Sequence, residues 1–459
     1  MEEQAPFGKP EYELPSYLEK VQSQLPALSL LMQLGWRYLT PEETVQLRNG
    51  RLGSTILEPI LVDHIRRHCR YEFKGATHPF TENAIQNAVQ ALKVFRATGA
   101  MHQNEQTYDL LCLGTSVPQT VEGDTKSFTI DFIDWKTPEN NLYHCTAEYK
   151  VERIGFQKHY VPDIVLFVNG IPLVVVECKR SAYTQTKKQP IDLAIDQLDS
   201  YQGKDGIPQL FLYSQLLLAL ARDKARYGTT GTSRRFWARW READLETTIE
   251  QLIKAPLTQE NIDKLLSGPF ADVRKKYLAV LDQGREIYGQ DRALYALCRP
   301  QRLLELCYKF ILYDGGIKKI ARYQQYFTVH DIMNRILSAA GDEPRPGGVV
   351  WHTRGSGKSL TMVMLAKSLA LRTDILNPKV ILVTDRIDLD DQICGTFRAC
   401  GLEPEQANTG KHLVDLLLDH RTHVVTTLIH KFATAVANRK MIQADRNTFV
   451  LVDEGHRSQ

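Results

Sequence analysis

At 459 residues, 43% apolar and 24% charged, the chain has room for about two to four domains with separate cores and the composition of ordinary globular protein. No uncharged apolar run is long enough to span a bilayer, and the acidic start Met1-Glu2-Glu3-Gln4 lacks a secretion signal, so a soluble cytoplasmic protein with no membrane partner is expected. A net charge of +3 names no partner, so nucleic acid would need local basic patches; eight cysteines without a Cys-x-x-Cys pair read as reduced core thiols, not zinc ligands or disulfides.

Residues 1–243 mix helix and strand, opening with a predicted helix over 18–34 that stops at Gly35. Glu19 on that helix reads as a solvated acid, with a further site acid as the alternative. The most informative stretch runs from Val161 to Lys179. Two β-forming runs flank Asn169-Gly170, the strongest short-range hairpin signal. A two-residue turn pairs Val168 with Ile171 and sets Asp163 opposite Val176, one residue from Glu177. A twist or bulge would bring the Asp163 and Glu177 carboxylates around one ion. Glu177 and Lys179 are two apart and share a face.

Two acids and a lysine suit a metal-dependent phosphodiesterase. The acids hold Mg²⁺, and the lysine orients the nucleophile or neutralises the transition state. The plainer alternative is a hairpin with charged ends. Against it stand the apolar strands around these charges, and Gln197 and Tyr201 at i,i+4 spacing on a predicted helix over 191–202. The run Ser233-Arg234-Arg235-Phe236-Trp237-Ala238-Arg239-Trp240-Arg241 interleaves basic and aromatic residues. Nucleic-acid contact and an amphipathic linker with both tryptophans turned inward are equal readings of it.

Residues 244–312 read as a helical connection, with Leu245, Ile249, Leu252 and Ile253 at helical spacing. From 313 to 459 the pattern alternates. Strands are predicted at 349–351, 380–384, 423–427 and 449–452, as in a doubly wound parallel sheet. After the first stands Trp351-His352-Thr353-Arg354-Gly355-Ser356-Gly357-Lys358-Ser359. This is a phosphate loop with His352 where the pattern has its first glycine. The backbone of Thr353, Arg354, Gly355, Ser356 and Gly357 would cradle phosphate, Lys358 neutralise it and Ser359 ligate Mg²⁺. Alone, such a loop is an ordinary turn; between an apolar strand and a predicted helix over 360–371 it reads as an ATP site.

Asp453 and Glu454 follow an apolar strand, Asp453 to hold the Mg²⁺ of ATP and Glu454 to polarise the attacking water. Gln325, preferred by spacing to Gln324, would read adenine. The strand ends at 383–386 and 425–427 read equally as DNA-backbone contacts or plain caps. These features announce a RecA-like ATPase domain. Such a site closes against a second domain, and the sequence runs only to Gln459, so an incomplete ATPase is expected.

With these motifs in hand, the chain resembles the N-terminal portion of the restriction (motor) subunit of type I restriction–modification enzymes. The resemblance rests on Pro162-Asp163, Glu177-Cys178-Lys179, Gln197 and Tyr201, and the phosphate loop. It rests also on Asp385-Arg386-Ile387-Asp388-Leu389-Asp390-Asp391-Gln392 and Asp453-Glu454-Gly455-His456-Arg457-Ser458-Gln459. It implies an α/β chain in which a PD-(D/E)xK endonuclease domain is joined to the first of two RecA-like domains of a superfamily 2 helicase, truncated after motif II. It implies Mg²⁺ and ATP as cofactors and double-stranded DNA as substrate. It also implies a prokaryotic complex with DNA methyltransferase (modification) and specificity subunits, which pulls DNA past itself before cutting. Two alternatives stand beside it. One is a standalone DNA-repair nuclease–helicase, which the 385–392 run opposes. The other is a non-catalytic DNA- or partner-binding remnant, which intact Asp163, Glu177, Lys179 and Lys358 oppose.

Overall fold

The computed structural model describes residues 19–94, 99–121, 123–155, 158–181, 188–339, 345–351, 353, 355–400, 402–419, 421, 423–431 and 446–453. The chain forms two compact units that divide between Tyr308 and Lys309. Among the described residues no helix is long and apolar enough to cross a membrane. None of the eight cysteines forms a disulfide.

The first unit opens with a π-helical turn, Lys20–Gln24, that runs into α1 (Leu25–Gln33). Every residue of α1 from Leu25 to Leu31 is buried, and Pro26 is its second residue. A six-stranded sheet follows, whose spatial order is also its chain order: β1 (Arg37–Leu39), β2 (Tyr143–Ala147), β3 (Ile164–Val168), β4 (Ile171–Cys178), β5 (Leu216–Ala221) and β6 (Lys224–Gly228). The β1–β2 and β4–β5 pairs are parallel and the others antiparallel. Strands β3, β4 and β5 are buried at every position, which is why they are almost unbroken apolar runs. Helix α2 (Pro190–Gln202) sets Ile191, Ala194, Ile195, Leu198 and Tyr201 into a core with Val165, Phe167, Val175 and Leu217. Truncating any large member of that core should cost about 2–5 kcal/mol.

The β3–β4 turn has Asn169 at φ 51° and Gly170 at φ 80°, the left-handed pair that a two-residue hairpin turn demands. A Cβ on Gly170 would lie 2.4 Å from the Leu57 carbonyl oxygen, so only glycine fits there. The register departs from the simple count. Ile171 pairs with Val168 and Pro172 with Phe167, but the ladder then slips and Val176 faces Ile164. Pro172 has no N–H to give the ladder, and a proline in a central strand calls for such a bulge. The slip corrects the expected pairing of Asp163 with Val176: it brings Asp163 level with Glu177.

After the sheet come the helices Glu246–Lys254, Gln259–Leu265, Arg274–Gln283, α3 (Gly289–Cys298) and Pro300–Lys309, and α3 packs on α1.

Two buried histidines contribute to its sensitivity to acid. His64, and His144 on β2, are each almost wholly enclosed, and each Nδ1 lacks a hydrogen-bond partner. Burial pushes both down to about 4, helped by His68 beside His64 and by Arg37 and Lys264 beside His144. A depressed histidine contributes stability that is full above its unfolded value of about 6.5 and is lost as pH falls toward 4, at about 3 kcal/mol per group. Urea unfolding at pH 7.5 and 4.5 should show that loss, and His64→Leu should flatten it. Equal pH slopes in parent and variant would refute it.

The second unit holds α4 (Tyr323–Leu337), α5 (Lys358–Ala370), β7 (Lys379–Thr384), α6 (Ile387–Ala399), β8 (Glu405–Gln406), α7 (Gly410–Leu418), β9 (Val424–Leu428) and β10 (Thr448–Val452). Four of its strands form one sheet in the order β8-β9-β7-β10, all parallel, and Ile311–Asp314 and Ile317–Ile320 form a separate antiparallel pair. Buried Lys379 donates to the carbonyls of Leu416, Leu417 and Asp419 at 2.5–2.9 Å, tying down the open C-terminal end of α7.

The strand expected at 349–351 is not formed. These residues join no ladder, and Val349 and Trp351 are more than nine-tenths exposed. Three residues offer few ladder bonds against the entropy of ordering a Pro-Gly-Gly approach. That approach is held elsewhere: Arg335 Nε donates to the Gly347 carbonyl at 2.6 Å.

Candidate active site and nucleotide loop

Asp163 stands just before β3 and Glu177 near the end of β4, both buried. Asp163 Oδ1 accepts from Gln24 Nε2 at 2.7 Å and Oδ2 from the Cys178 backbone N–H at 2.6 Å. Lys179 Nζ donates to Glu177 Oε1 at 2.6 Å and lies 3.8 Å from Glu19 Oε1. The Lys179 N–H donates to the Leu220 carbonyl on β5. Glu19 Oε2 accepts from the Arg180 N–H at 3.2 Å. Glu19 is therefore not the solvated acid expected: it is 5% exposed and faces the same ammonium as Glu177.

Burial raises the Asp163 carboxyl, with Lys179 pulling the other way. It raises Glu177 well above the usual carboxylate range, reinforced by Asp163. Burial alone would lower Lys179, but Glu177, Asp163 and Glu19 outweigh it and raise the ammonium well above its ordinary value. Three carboxyl groups around one ammonium leave negative charge to be matched by protons or by a cation. Glu177 Oε2 is buried without a hydrogen-bond partner. An unpartnered carboxylate oxygen and an all-oxygen donor set suit Mg²⁺. Among the described residues no three His, Cys, Asp or Glu side chains are grouped to hold an ion by themselves, so water and phosphate oxygens would complete the shell, as is usual for Mg²⁺.

On α2, Gln197 Nε2 donates to Tyr201 Oη at 2.7 Å, and Tyr201 donates to the Val161 carbonyl at 3.3 Å, two residues before Asp163. The helix thus braces the chain that leads into the site.

In the second unit, Gly357 adopts φ +86° directly before α5, which begins at Lys358 and Ser359. Gly355 is also left-handed, and the Ser356 N–H returns to the Thr353 carbonyl. Buried Gln325 accepts from the Arg322 N–H at 2.9 Å and donates to the Gly357 carbonyl at 3.2 Å. Gln324 is exposed, so of the two only Gln325 touches the loop. Asp453 follows β10, its N–H on the Val383 carbonyl. Arg354 and Glu454 lie outside the described residues, as does the tail after Glu454. Thr426 and Thr427 are buried in the sheet, while Arg386 is exposed and paired with Asp388.

Residues 16–236 match the family model for the Type I restriction enzyme R protein N terminus, and residues 324–459 match that for the SWI2/SNF2 ATPase. This chain is similar to the type I restriction endonuclease subunits. It is 28% identical over 449 residues, 94% of its length, to the type I restriction enzyme HindI endonuclease subunit of Haemophilus influenzae, covering 38% of that protein. The putative MjaIXP endonuclease subunit of Methanocaldococcus jannaschii is 27% identical over 76% of the chain and 32% of the relative. The SauCOLORF180P endonuclease subunit of Staphylococcus aureus is 26% identical over 73% and 31%. The chain thus spans about a third of the length of these relatives.

The basic-aromatic stretch, which runs past the end of the matched N-terminal region, packs its tryptophans inward. Trp237 is buried, and Trp240 sits edge-on to Tyr227 and donates to Glu242. Arg234 pairs with Asp192 and Asp196 on α2; Arg235, Arg239 and Arg241 are exposed. Sequence reasoning missed Gln24 and Ser23. The sequence held little signal for them, because Glu19, Lys20, Gln22, Ser23 and Gln24 read together as the polar start of a helix.

Proposed function

We propose that this chain carries the Mg²⁺-dependent DNA-cleaving site and an ATP-binding RecA-like domain of a type I restriction endonuclease. It would act on double-stranded DNA in the prokaryotic cytoplasm, with modification and specificity subunits, and couple cleavage to ATP-driven translocation. The observation that carries the reading is the convergence of buried Asp163 and Glu177 with Lys179 at the end of a bulged hairpin, the arrangement expected of a PD-(D/E)xK site. Asp163 and Glu177, with Glu19 close by, would hold Mg²⁺, which when bound supplies an activated water and stabilises charge on the phosphate. Gln24 and the Cys178 N–H fix the Asp163 carboxyl. Lys179, held by Glu177, presents its ammonium to a scissile phosphate. In the other unit, Lys358, Ser359, Asp453 and Glu454 would serve ATP and its Mg²⁺, with Gln325 at the loop.

The test is nicking of supercoiled plasmid by the chain with its partner subunits, in Mg²⁺ and in excess chelator. Cleavage in Mg²⁺ only, reduced at least about a hundredfold by Asp163→Asn, is the expected result. Chelator-resistant cutting would overturn the reading.

A further inference from the structure

Among the side chains by which the helical stretch after the sheet reaches the candidate nuclease site, one is wholly buried. Gln290, on α3, has no exposed surface. Its Oε1 accepts from Ser23 Oγ at 2.8 Å, and its Nε2 donates to the Ser23 carbonyl at 3.0 Å. Both bonds fall on the π-helical turn, one residue before Gln24, whose amide holds Asp163. The Gln290 N–H is anchored in turn on the Arg222 carbonyl, at the β5–β6 turn.

The turn's geometry shows what this bracing does. Residues five apart lie about 140° from one another around an α-helix. Glu19 and Gln24 are five apart and both serve the same cluster. A wider i→i+5 turn brings such a pair nearer to one face, and the Leu25 N–H does bond the Lys20 carbonyl, five residues back. A π turn is less favourable than continued α-helix, so it needs support from outside. Gln290 gives that support to both polar groups of Ser23, and Arg285 Nη2 adds a bond to the Pro26 carbonyl at 3.4 Å.

We propose that Gln290 is a positioning residue of the nuclease site: it holds the π turn so that Glu19 and Gln24 face Asp163, Glu177 and Lys179. This rests on the nuclease reading of those residues. The probe is Mn²⁺, titrated calorimetrically into the intact chain without DNA or nucleotide, beside Mg²⁺-dependent cleavage by the assembled enzyme. Gln290→Met keeps the side-chain volume and removes both bonds. It should weaken Mn²⁺ binding about tenfold or more, the usual effect of removing a residue that orients a metal ligand, and raise the Mg²⁺ needed for half-maximal cleavage to match.

Leu294→Ala, a buried apolar truncation on the same helix, should lower Tm at least as much and leave both readouts within about twofold. Should Gln290→Met not accumulate, Ser23→Ala deletes one of the bonds and gives the same readout. Unchanged Mn²⁺ affinity in Gln290→Met or Ser23→Ala overturns the proposal. Glu177→Ala separates the two ideas: if it still binds Mn²⁺ and cuts DNA, the nuclease reading itself has failed.

Discussion

Glu177→Ala is expected to abolish DNA cleavage, by at least about a thousandfold, while the assembled enzyme goes on hydrolysing ATP. Glu177 places one oxygen on Lys179 and leaves the other buried and open, so its loss removes a metal oxygen and releases the lysine together. Each charged group aimed at a transition state is worth about 3–4 kcal/mol, and two lost at once reach that range. Lys179→Ala should be as damaging to cleavage and worse for the fold. Removing Glu177 relieves a cluster in which acids outnumber the cation. Removing Lys179 strands Asp163, Glu177 and Glu19 together, a buried imbalance worth about 3–5 kcal/mol. Because Lys179 holds these acids' protonation down, its loss raises their affinity for protons. The added instability should therefore grow as pH rises and shrink as it falls. Cleavage and phosphate release, measured on one preparation alongside denaturant unfolding at pH 6 and 8, check all three claims. The ATPase should survive because the candidate sites lie in separate units; its loss in Glu177→Ala would refute their independence.

How far the sequence could be read depended on whether the signal was local. Asn169-Gly170 between two apolar runs dictated the hairpin, and the run from Pro190 to Gln202 dictated its helix, because turn chemistry and periodicity act over a few residues. The register that aligns Asp163 with Glu177 was harder. It hung on Pro172, whose missing N–H forces the slip; that signal was present but carries weight only once a central strand is assumed. Glu19 was misread because helical periodicity assumes about 100° per residue, and the π turn breaks that spacing where the polar residues fall. Gln290 was beyond sequence reasoning altogether, since its partner Ser23 lies 267 positions away. In the second unit, the strands Lys379–Thr384 and Thr448–Val452 were legible as apolar runs; the first is buried throughout, whereas Val450 and Val452 of the second are exposed. The run 349–351 looked the same and paired with nothing, because β-propensity describes a surface that still needs a neighbour.

Lys358→Ala is expected to weaken ATP binding about 10- to 100-fold and to stop Mg²⁺-dependent ATP hydrolysis, with the fold unchanged. Lys358 is the first residue of α5, directly after Gly357 in its left-handed conformation. The open N–H groups and positive end of a 13-residue helix therefore meet where the loop would hold phosphate. A charge-assisted contact to phosphate is worth about 1.5–3 kcal/mol, which sets the expected loss. Alanine is the best helix former, so α5 should keep its start and the far-ultraviolet spectrum should not change. Gln325→Ala should behave differently. It deprives the Gly357 carbonyl and the Arg322 N–H of a shared partner, so it should loosen the loop for every nucleotide and, if Gln325 reads adenine, weaken ATP more than GTP. Fluorescent-nucleotide titrations of both variants with ATP and GTP competitors separate these effects. Parent-like ATP affinity in Lys358→Ala would mean that the loop after Trp351 is not the phosphate site. Mn²⁺ binding at Asp163 and Glu177 should be the same in Lys358→Ala as in the parent, since the lysine belongs to the other unit.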